Sequence, residues 1–171
     1  MKDSVVIDAC SIAEFQKERI GGELDVFTNG MEYILENFWI ALDGGDLILQ
    51  EWIETASCSS GDVSLSDWVG DLAASGKLLF VSFDHDKNLN SLLNGFGFPR
   101  KDRKYIMTAI SSNSVGISTE DFDFHDPKGK NFSAKKKEKT IENGGGPVAK
   151  MLKRKYRILV CSLKDAPDAL G

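Results

Sequence analysis

Cysteine is scarce in this sequence, and long hydrophobic runs do not occur. The three cysteines, Cys10, Cys58 and Cys161, are odd in number and show no CxxC spacing. This pattern argues against a disulfide framework and against a zinc site. The apolar run at residues 5–7 is too short for a signal peptide, and no later stretch approaches the length of a membrane-spanning helix. We therefore expect a cytoplasmic protein, with no membrane partner and with reduced thiols.

Proline is also rare, with only 4 residues, while 42% of the residues are apolar and 27% are charged. These values lie near the average for globular proteins, so they argue against a disordered or fibrous chain. A chain of 171 residues is long enough to bury a hydrophobic core that needs no disulfide or structural metal to fold. The expectation is a single domain over residues 1–171.

The charge is unevenly distributed along the chain. The formal net charge is -5, but residues 128–157 contain eleven Lys and Arg against two Glu, a local net charge of +9 that leaves -14 for the rest. Residues 125–155, rich in Lys and Gly, are expected to form a basic insertion or mobile loop. Such a segment could grip phosphates through Lys135, Lys136 and Lys137, or it could be a solvated loop.

Apolar runs of strand length alternate with amphipathic stretches of helical period. Strands are predicted at 5–7, 78–81, 115–118 and 157–161, and helices at 11–19, 50–56, 66–75 and after Pro99. Asn29, with Glu32 three residues later, predicts the start of another helix. Residues 39–42 and 47–49 predict a hairpin around the turn-forming stretch 43–46. The alternation predicts an α/β fold with a doubly wound, mostly parallel sheet.

Acidic residues follow two of these strands. Asp8 comes directly after residues 5–7, and Asp121 and Asp123 come shortly after 115–118. Asp102 lies in the first turn of its helix, where the helix dipole favours a carboxylate. Because parallel strands present their carboxyl ends at one edge, we expect these acids to lie close together. Taken singly, each acid could equally be a helix cap or a surface charge.

Clustered carboxylates repel one another, so a divalent cation would stabilise them. Oxygen ligands without His or Cys favour Mg²⁺ or Mn²⁺ over zinc. Two such ions can generate a hydroxide and stabilise both the attacking and the leaving oxygen of a phosphodiester. The acids therefore indicate a metal-dependent phosphodiesterase.

Four motifs together resemble the bacterial PIN-like domain family of nucleases. The stretches that carry the resemblance are 5–8 (VVID), 42–52 (LDGGDLILQEW), 97–106 (GFPRKDRKYI) with Ala109, and 118–124 (STEDFDF), with 157–161 fitting the last strand. The resemblance implies a three-layer α/β/α fold with a central, mostly parallel sheet. It also implies an endoribonuclease or nuclease that uses Mg²⁺ or Mn²⁺ to cut RNA, with single-stranded DNA as a further substrate class.

The resemblance also implies the site. The catalytic metal ligands would be four acids, Asp8, Glu51, Asp102 and Asp121. Asp123 would be a supplementary or outer ligand, and Thr119 would orient Asp8 by a hydrogen bond. Glu54, one turn from Glu51, is an alternative ligand. Cys10 departs from the family pattern, which often has a small polar residue there, and this departure is expected to weaken the support of the site.

Other functions stay open. An aspartate-based phosphoryl-transfer enzyme also places acids at strand ends, but a haloacid-type pattern needs Asp-x-Asp and Asp8 is followed by Ala9 and Cys10. A catalytically inactive PIN-like module that binds RNA or protein is the stronger alternative. An antitoxin, another protein partner or a second copy of the chain could also bind.

Histidine and aromatic residues are secondary candidates. His125 and His85 could act as ligands or bases, but a lone His is more often an ordinary surface contact. The aromatics could stack on bases, yet their spacing favours core positions. These aromatics are Trp39, Trp52, Phe96 and Phe98.

Overall fold

A computed structural model of the protein describes residues 3–22, 25–56 and 64–171, so Cys58 lies outside the described residues. The strands are β1 (Ser4–Ile7), β2 (Trp39–Asp43), β3 (Leu78–Val81), β4 (Gly116–Ser118) and β5 (Leu159–Cys161). The α-helices are α1 (Ala9–Gly21), α2 (Val26–Asn37), α3 (Leu47–Ala56), α4 (Leu65–Ala74), α5 (Lys87–Phe96), α6 (Arg103–Ser111), α7 (Ala134–Glu142), α8 (Pro147–Tyr156) and α9 (Ala166–Leu170). Short 3₁₀ turns occupy Arg100–Asp102, Phe122–Phe124, Pro127–Gly129 and Leu163–Asp165.

The five strands form one sheet in the order β3-β2-β1-β4-β5, and all neighbouring pairs are parallel. Val5, Val6 and Ile7 of β1 are fully buried, because helices cover both faces of the sheet. This architecture is a three-layer α/β/α fold, as the sequence predicted. No helix in the described ranges has the length and apolarity needed to cross a membrane.

The strand order also fixes where a ligand would bind. The chain moves outward from β1 to β2 and β3, then returns to place β4 on the other side of β1. In doubly wound sheets, the crevice beyond the carboxyl ends of the strands at this switch point is the usual ligand site. Asp8 follows β1, and Thr119 follows β4, so both lie at this crevice.

The predicted hairpin at residues 39–49 is wrong, because its second arm is the first turn of α3. The Asp43 carboxylate accepts hydrogen bonds from the backbone N–H groups of Gly45, Leu47 and Ile48, at 3.2, 3.0 and 2.8 Å. Satisfying these N–H groups allows a helix to begin immediately after β2. β2 then pairs in parallel with β3 instead of turning back on itself.

The predicted start of α2 at Asn29 is also wrong. The helix begins at Val26, and Asn29 lies inside it. The Glu18 carboxylate of α1 accepts from the backbone N–H groups of Phe27 and Thr28, at 3.2 and 2.7 Å. A side chain from a preceding helix thus supplies the cap, and a local pattern around residue 29 does not contain it.

The basic segment 125–155, which we expected to be a basic insertion or a mobile loop, contains two helices. α7 has no buried residue, whereas α8 buries Val148, Ala149, Met151 and Leu152. The glycines that suggested mobility form the turn between the helices, where Gly144 and Gly145 both have φ of +85°. Such a φ favours glycine, so these residues serve a defined turn.

Candidate functional site

Asp8 lies at the centre of the crevice, directly after β1. Its side chain is 5% exposed, and Thr119 Oγ1 donates to Asp8 Oδ2 at 2.7 Å. The structure therefore contains the hydrogen bond that the resemblance implied. Cys10 Sγ donates to the same oxygen at 2.7 Å, so Cys10 supports Asp8 where we expected it to weaken the support. Burial raises the pKa of Asp8, and the charge of Asp121 raises it further. The hydrogen bonds from Cys10 and Thr119 lower this pKa, but they do not outweigh the effect of burial.

Asp121 and Asp123 lie beyond β4, beside Thr119. The Asp121 N–H donates to Thr119 Oγ1 at 3.0 Å, and Asp121 Oδ1 accepts from the Asp123 N–H at 2.9 Å. Asp123 is buried, and its Oδ2 lies 3.2 Å from Lys130 Nζ. Burial and the charge of Asp121 raise the pKa of Asp123, and Lys130 opposes them. Asp123 thus already has a cationic partner.

Asp102 ends the 3₁₀ turn before α6 and is 6% exposed. It makes no capping hydrogen bond to its own helix. Burial, opposed by the charge of Lys101, raises the pKa of Asp102 to about 6, and three other carboxylates contribute to the rise. These three are Asp8, Glu51 and Asp121. Asp102 is therefore close enough to each of the other three predicted ligands to interact with it electrostatically.

Glu51 reaches the site from α3. Its neighbour Trp52 is fully buried and donates Nε1–H to the Ile7 carbonyl at 3.0 Å, which fixes α3 against the end of β1. Glu51 Oε2 accepts from Tyr105 Oη at 2.6 Å and lies 2.7 Å from Lys104 Nζ. Partial burial alone would raise the pKa of Glu51. The hydrogen bonds from Lys104 and Tyr105 outweigh this effect, so the pKa of Glu51 lies below its ordinary value.

These acids are not arranged as a preformed metal-binding site. Within residues 3–22, 25–56 and 64–171, no group of three or more His, Cys, Asp or Glu is arranged to hold a metal ion. Ammonium groups instead neutralise two of the acids, Lys104 at Glu51 and Lys130 at Asp123. The donor chemistry fits Mg²⁺ or Mn²⁺, since it consists of carboxylate oxygens. A bound cation would have to compete with the two lysines.

Two cavities flank the carboxylates, and Lys101 contributes to the walls of both. The first cavity, of about 820 Å³, lies beside Glu51 and Glu54. The second cavity, of about 770 Å³, is lined by Asp102, Thr119, Asp121 and Asp123 with Lys130 and Lys137. Each cavity has a volume within the range of small-molecule sites.

The three lysines predicted to contact nucleic acid do not share one position. Lys137 lines the second cavity. Lys136 Nζ lies over the ring of Phe132, 3.4 Å from its centroid, and Lys135 is exposed on α7. Lys136 and Lys135 do not line the second cavity. The structure therefore brings only one residue of the predicted triplet to the acids.

The secondary candidates divide between the core and the cavities. Trp52 and Phe98 are core residues, which confirms that interpretation for these two. His125 is buried, so the surface interpretation is wrong for it, and burial lowers its pKa. Its Nδ1 has no hydrogen-bond partner among the described residues, and the ring lines the second cavity. His85 is exposed beside the first cavity.

Tyr105 and Arg103 are features of the site that the sequence did not reveal. Tyr105 belongs to the buried core on α6, yet its hydroxyl accepts from the Ala9 N–H at 3.2 Å while donating to Glu51. A tyrosine hydroxyl on a buried face needs a partner, which is the signal that could have identified it. Arg103 is buried at the wall of the first cavity.

Comparisons of this chain with protein-family models, with curated proteins and with solved structures give no match. The functional interpretation therefore depends on the residues and the geometry of the chain itself.

Proposed function

We propose that this chain is a metal-dependent nuclease that hydrolyses phosphodiester bonds of RNA. The metal ligands would be Asp8, Glu51, Asp102 and Asp121. The observation that carries the proposal is the buried Asp102 carboxyl, whose pKa is raised to about 6 by burial and by the charges of its three partner acids. Carboxylates that repel one another at neutral pH are stabilised when a divalent cation shares their charge.

The residues around the acids support this role by fixing carboxylate orientation. Thr119 and Cys10 both donate to Oδ2 of Asp8, so they fix the orientation in which this carboxylate would meet a cation. Tyr105 holds Glu51 in the same way. When bound, Mg²⁺ or Mn²⁺ would supply Lewis acidity and an activated water to the phosphodiester. Lys104 would move away from Glu51, because the metal ion would then balance the negative charge of the carboxylate.

The cationic residues around the crevice support a polyanionic substrate. Lys101 borders both cavities, and Lys130 and Lys137 line the second. These charges would offset the repulsion between phosphates and the acidic body of the protein. Single-stranded DNA carries the same phosphates, so it belongs in the assay as a second substrate.

A nucleic-acid-binding module without catalysis is the second candidate. The ion pairs Lys104–Glu51 and Lys130–Asp123 favour it, because they neutralise acids that a metal would otherwise need. The two candidates differ in their response to divalent cations. A binding module holds RNA equally well in EDTA and leaves it intact in Mn²⁺.

The test is cleavage of a 5′-labelled single-stranded RNA by the purified chain with Mg²⁺, Mn²⁺ or EDTA. We expect Mg²⁺ or Mn²⁺ to support cleavage, EDTA to stop it, and Asp102→Asn to lower the rate at least a hundredfold. The matched control is Asp67→Asn, which also removes a carboxylate from the first turn of a helix, but at an exposed position on α4. Metal-independent cleavage, or equal rates for the two variants, would contradict the proposal.

A further inference from the structure

The first cavity lies between α3, α5 and α6. Its wall contains guanidinium, amide and aromatic groups that have no role in the proposed metal site. Its volume of about 820 Å³ is within the range of small-molecule sites. Glu51 and Lys101 belong to its wall, so it opens directly beside the acids. Its other wall residues include a second carboxylate, Glu54, together with His85 and with cationic, amide-bearing and apolar side chains.

A buried guanidinium without a counter-ion is the first indication of a ligand. Arg103 is 8% exposed, and no carboxylate forms an ion pair with it in the described part of the chain. Its Nη atoms donate to Asn90 Oδ1 at 3.0 Å, Asn94 Oδ1 at 2.6 Å and the Phe98 carbonyl at 3.2 Å. Its Nε has no partner among the described residues.

An uncompensated buried cation is costly, and an anion in the adjacent cavity would lower that cost. Arg100, exposed at the same cavity, adds a second guanidinium without a carboxylate partner among the described residues. Guanidinium groups match phosphate oxygens in geometry as well as in charge. The charged half of the cavity therefore fits a phosphate group.

The other half of the cavity presents apolar and aromatic surface. Phe83 is half-buried at the wall, and Leu47 is 51% exposed at the same wall although it is a large apolar residue. His85 lies beside Asn90, with 3.4 Å between Nδ1 and Nδ2. Because the Asn94 oxygen accepts from Arg103, its amide nitrogen is left as a donor. A nucleobase can stack on an aromatic ring face, and the polar atoms along its edge can form hydrogen bonds with amide groups. This half of the cavity offers both.

We propose that the first cavity binds one unstacked nucleotide of a single-stranded nucleic acid, with its base against Phe83 and its phosphate at Arg100 and Arg103. The inference rests on the proposed function for the position of this nucleotide, which lies next to the phosphate presented to Glu51 and Asp102. The strand would then continue past Lys101 into the second cavity. The first cavity is thus the place where the protein selects the base beside the cut.

The test measures binding in EDTA, so that it does not depend on catalysis. Fluorescence anisotropy of the full chain would compare a labelled adenosine octaribonucleotide with an abasic octamer of the same charge. We expect the adenosine strand to bind about 5- to 150-fold more tightly, the range that one stacked base contributes. Phe83→Leu keeps the apolar volume and should remove this preference. Phe80→Leu, at an exposed phenylalanine of β3, should keep it.

Arg100→Gln tests the phosphate half of the cavity without disturbing buried Arg103. It should flatten the plot of log affinity against log salt by about 0.7 for both octamers. Lys139→Gln, on α7 and outside both cavities, is the matched control and should leave the slope unchanged.

The two proposals fail in different ways. Equal affinities of the Phe83→Leu and Phe80→Leu proteins for adenosine RNA would overturn the nucleotide pocket, even if the chain cleaves RNA. Displacement of the RNA by an acidic octapeptide, with no preference for the adenosine strand over the abasic one, would also overturn it. If Phe83→Leu removes the preference but no divalent cation supports cleavage, the pocket stands and the nuclease proposal fails.

Discussion

The hydroxyl of Tyr105 donates to the carboxylate of Glu51 across a distance of 2.6 Å. Tyr105 is fully buried on α6, while Glu51 comes from α3, so the bond joins two helices beyond the carboxyl edge of the sheet. The same hydroxyl accepts from the Ala9 N–H, directly after Asp8. One buried oxygen thus sets the position of two of the proposed ligands.

Tyr105→Phe should therefore weaken metal binding without removing a ligand. We expect Mn²⁺ affinity and kcat to fall about 10- to 100-fold, as for other residues that orient metal ligands, with KM for RNA little changed. The lost hydrogen bonds should lower the free energy of unfolding by about 1 kcal/mol. Calorimetric titration with Mn²⁺ measures the effect, and Tyr156→Phe on α8 is the control. Unchanged Mn²⁺ affinity would show that Tyr105 does not position Glu51.

Asp102 makes the stability of the metal-free protein depend on pH. Its pKa is raised from 3.8 to about 6 in the folded state, which therefore binds the proton more tightly than the unfolded chain. Protonated Asp102 therefore contributes fully to the free energy of unfolding below pH 4. This contribution is lost as the pH rises through 6, because the carboxyl then ionises in the folded protein. Its loss should cost on the order of 3 kcal/mol.

The comparison of wild type with Asp102→Asn isolates this contribution. The variant cannot ionise at position 102, so in EDTA it should be more stable than wild type at pH 7 and about equal at pH 4. Urea denaturation at both pH values measures the two free energies of unfolding. A variant that is less stable than wild type at pH 7 would show that Asp102 is not under electrostatic strain.

Glu120 provides a contrast, since it lies between Thr119 and Asp121 but serves the fold. Its carboxylate accepts from Ser162 Oγ at 2.8 Å and from the Leu163 N–H at 2.9 Å. Glu120→Gln should therefore lower the free energy of unfolding by about 1–3 kcal/mol, because hydrogen bonds to a charged group are lost. Cleavage and Mn²⁺ affinity should stay near wild type. A hundredfold loss of activity in the folded variant would place Glu120 in the site.

Lys137 and Lys135 form a matched pair for testing the basic helix α7. Both belong to the same helix, but only Lys137 lines the second cavity. Lys137→Gln should weaken RNA binding and flatten its salt dependence by about 0.7, the value for one lost phosphate contact on a single strand. Lys135→Gln should leave the slope unchanged. Equal slopes for the two variants would mean that α7 does not contact the strand.

Short-range patterns predicted the sheet and its acidic edge. Residues 5–7 are a continuous apolar run, and residues 115–118 (VGIS) contain two β-branched apolar residues. They correspond to the buried strands β1 and β4, and the carboxyl end of each strand leads to a proposed ligand. Parallel pairing of β1 with β4 then brings Asp8 and Thr119 together. The fold class and the grouping of acids at one edge thus follow from patterns of a few residues, whereas the contact of Thr119 with Asp8 was implied by the family resemblance.

Long-range contacts explain what the sequence did not predict. Glu18 begins α2 from another helix, and Lys104 and Lys130 neutralise acids that were expected to be free. The carboxylate of Asp43 changes a hairpin pattern into a helix start. The contacts of Glu18, Lys104 and Lys130 depend on how elements pack, so no local pattern contains them, whereas the contacts of Asp43 are local and reach only to Gly45, Leu47 and Ile48.

The central claim is that the acids at the end of β1 and β4 hold a divalent cation. Anomalous diffraction from a crystal soaked in Mn²⁺ tests it most directly, because it locates the ion and its ligands together. We expect a peak about 2–2.3 Å from oxygens of Asp8, Asp102 and Asp121. Peaks confined to other surfaces, with Lys104 and Lys130 still paired to Glu51 and Asp123, would contradict it.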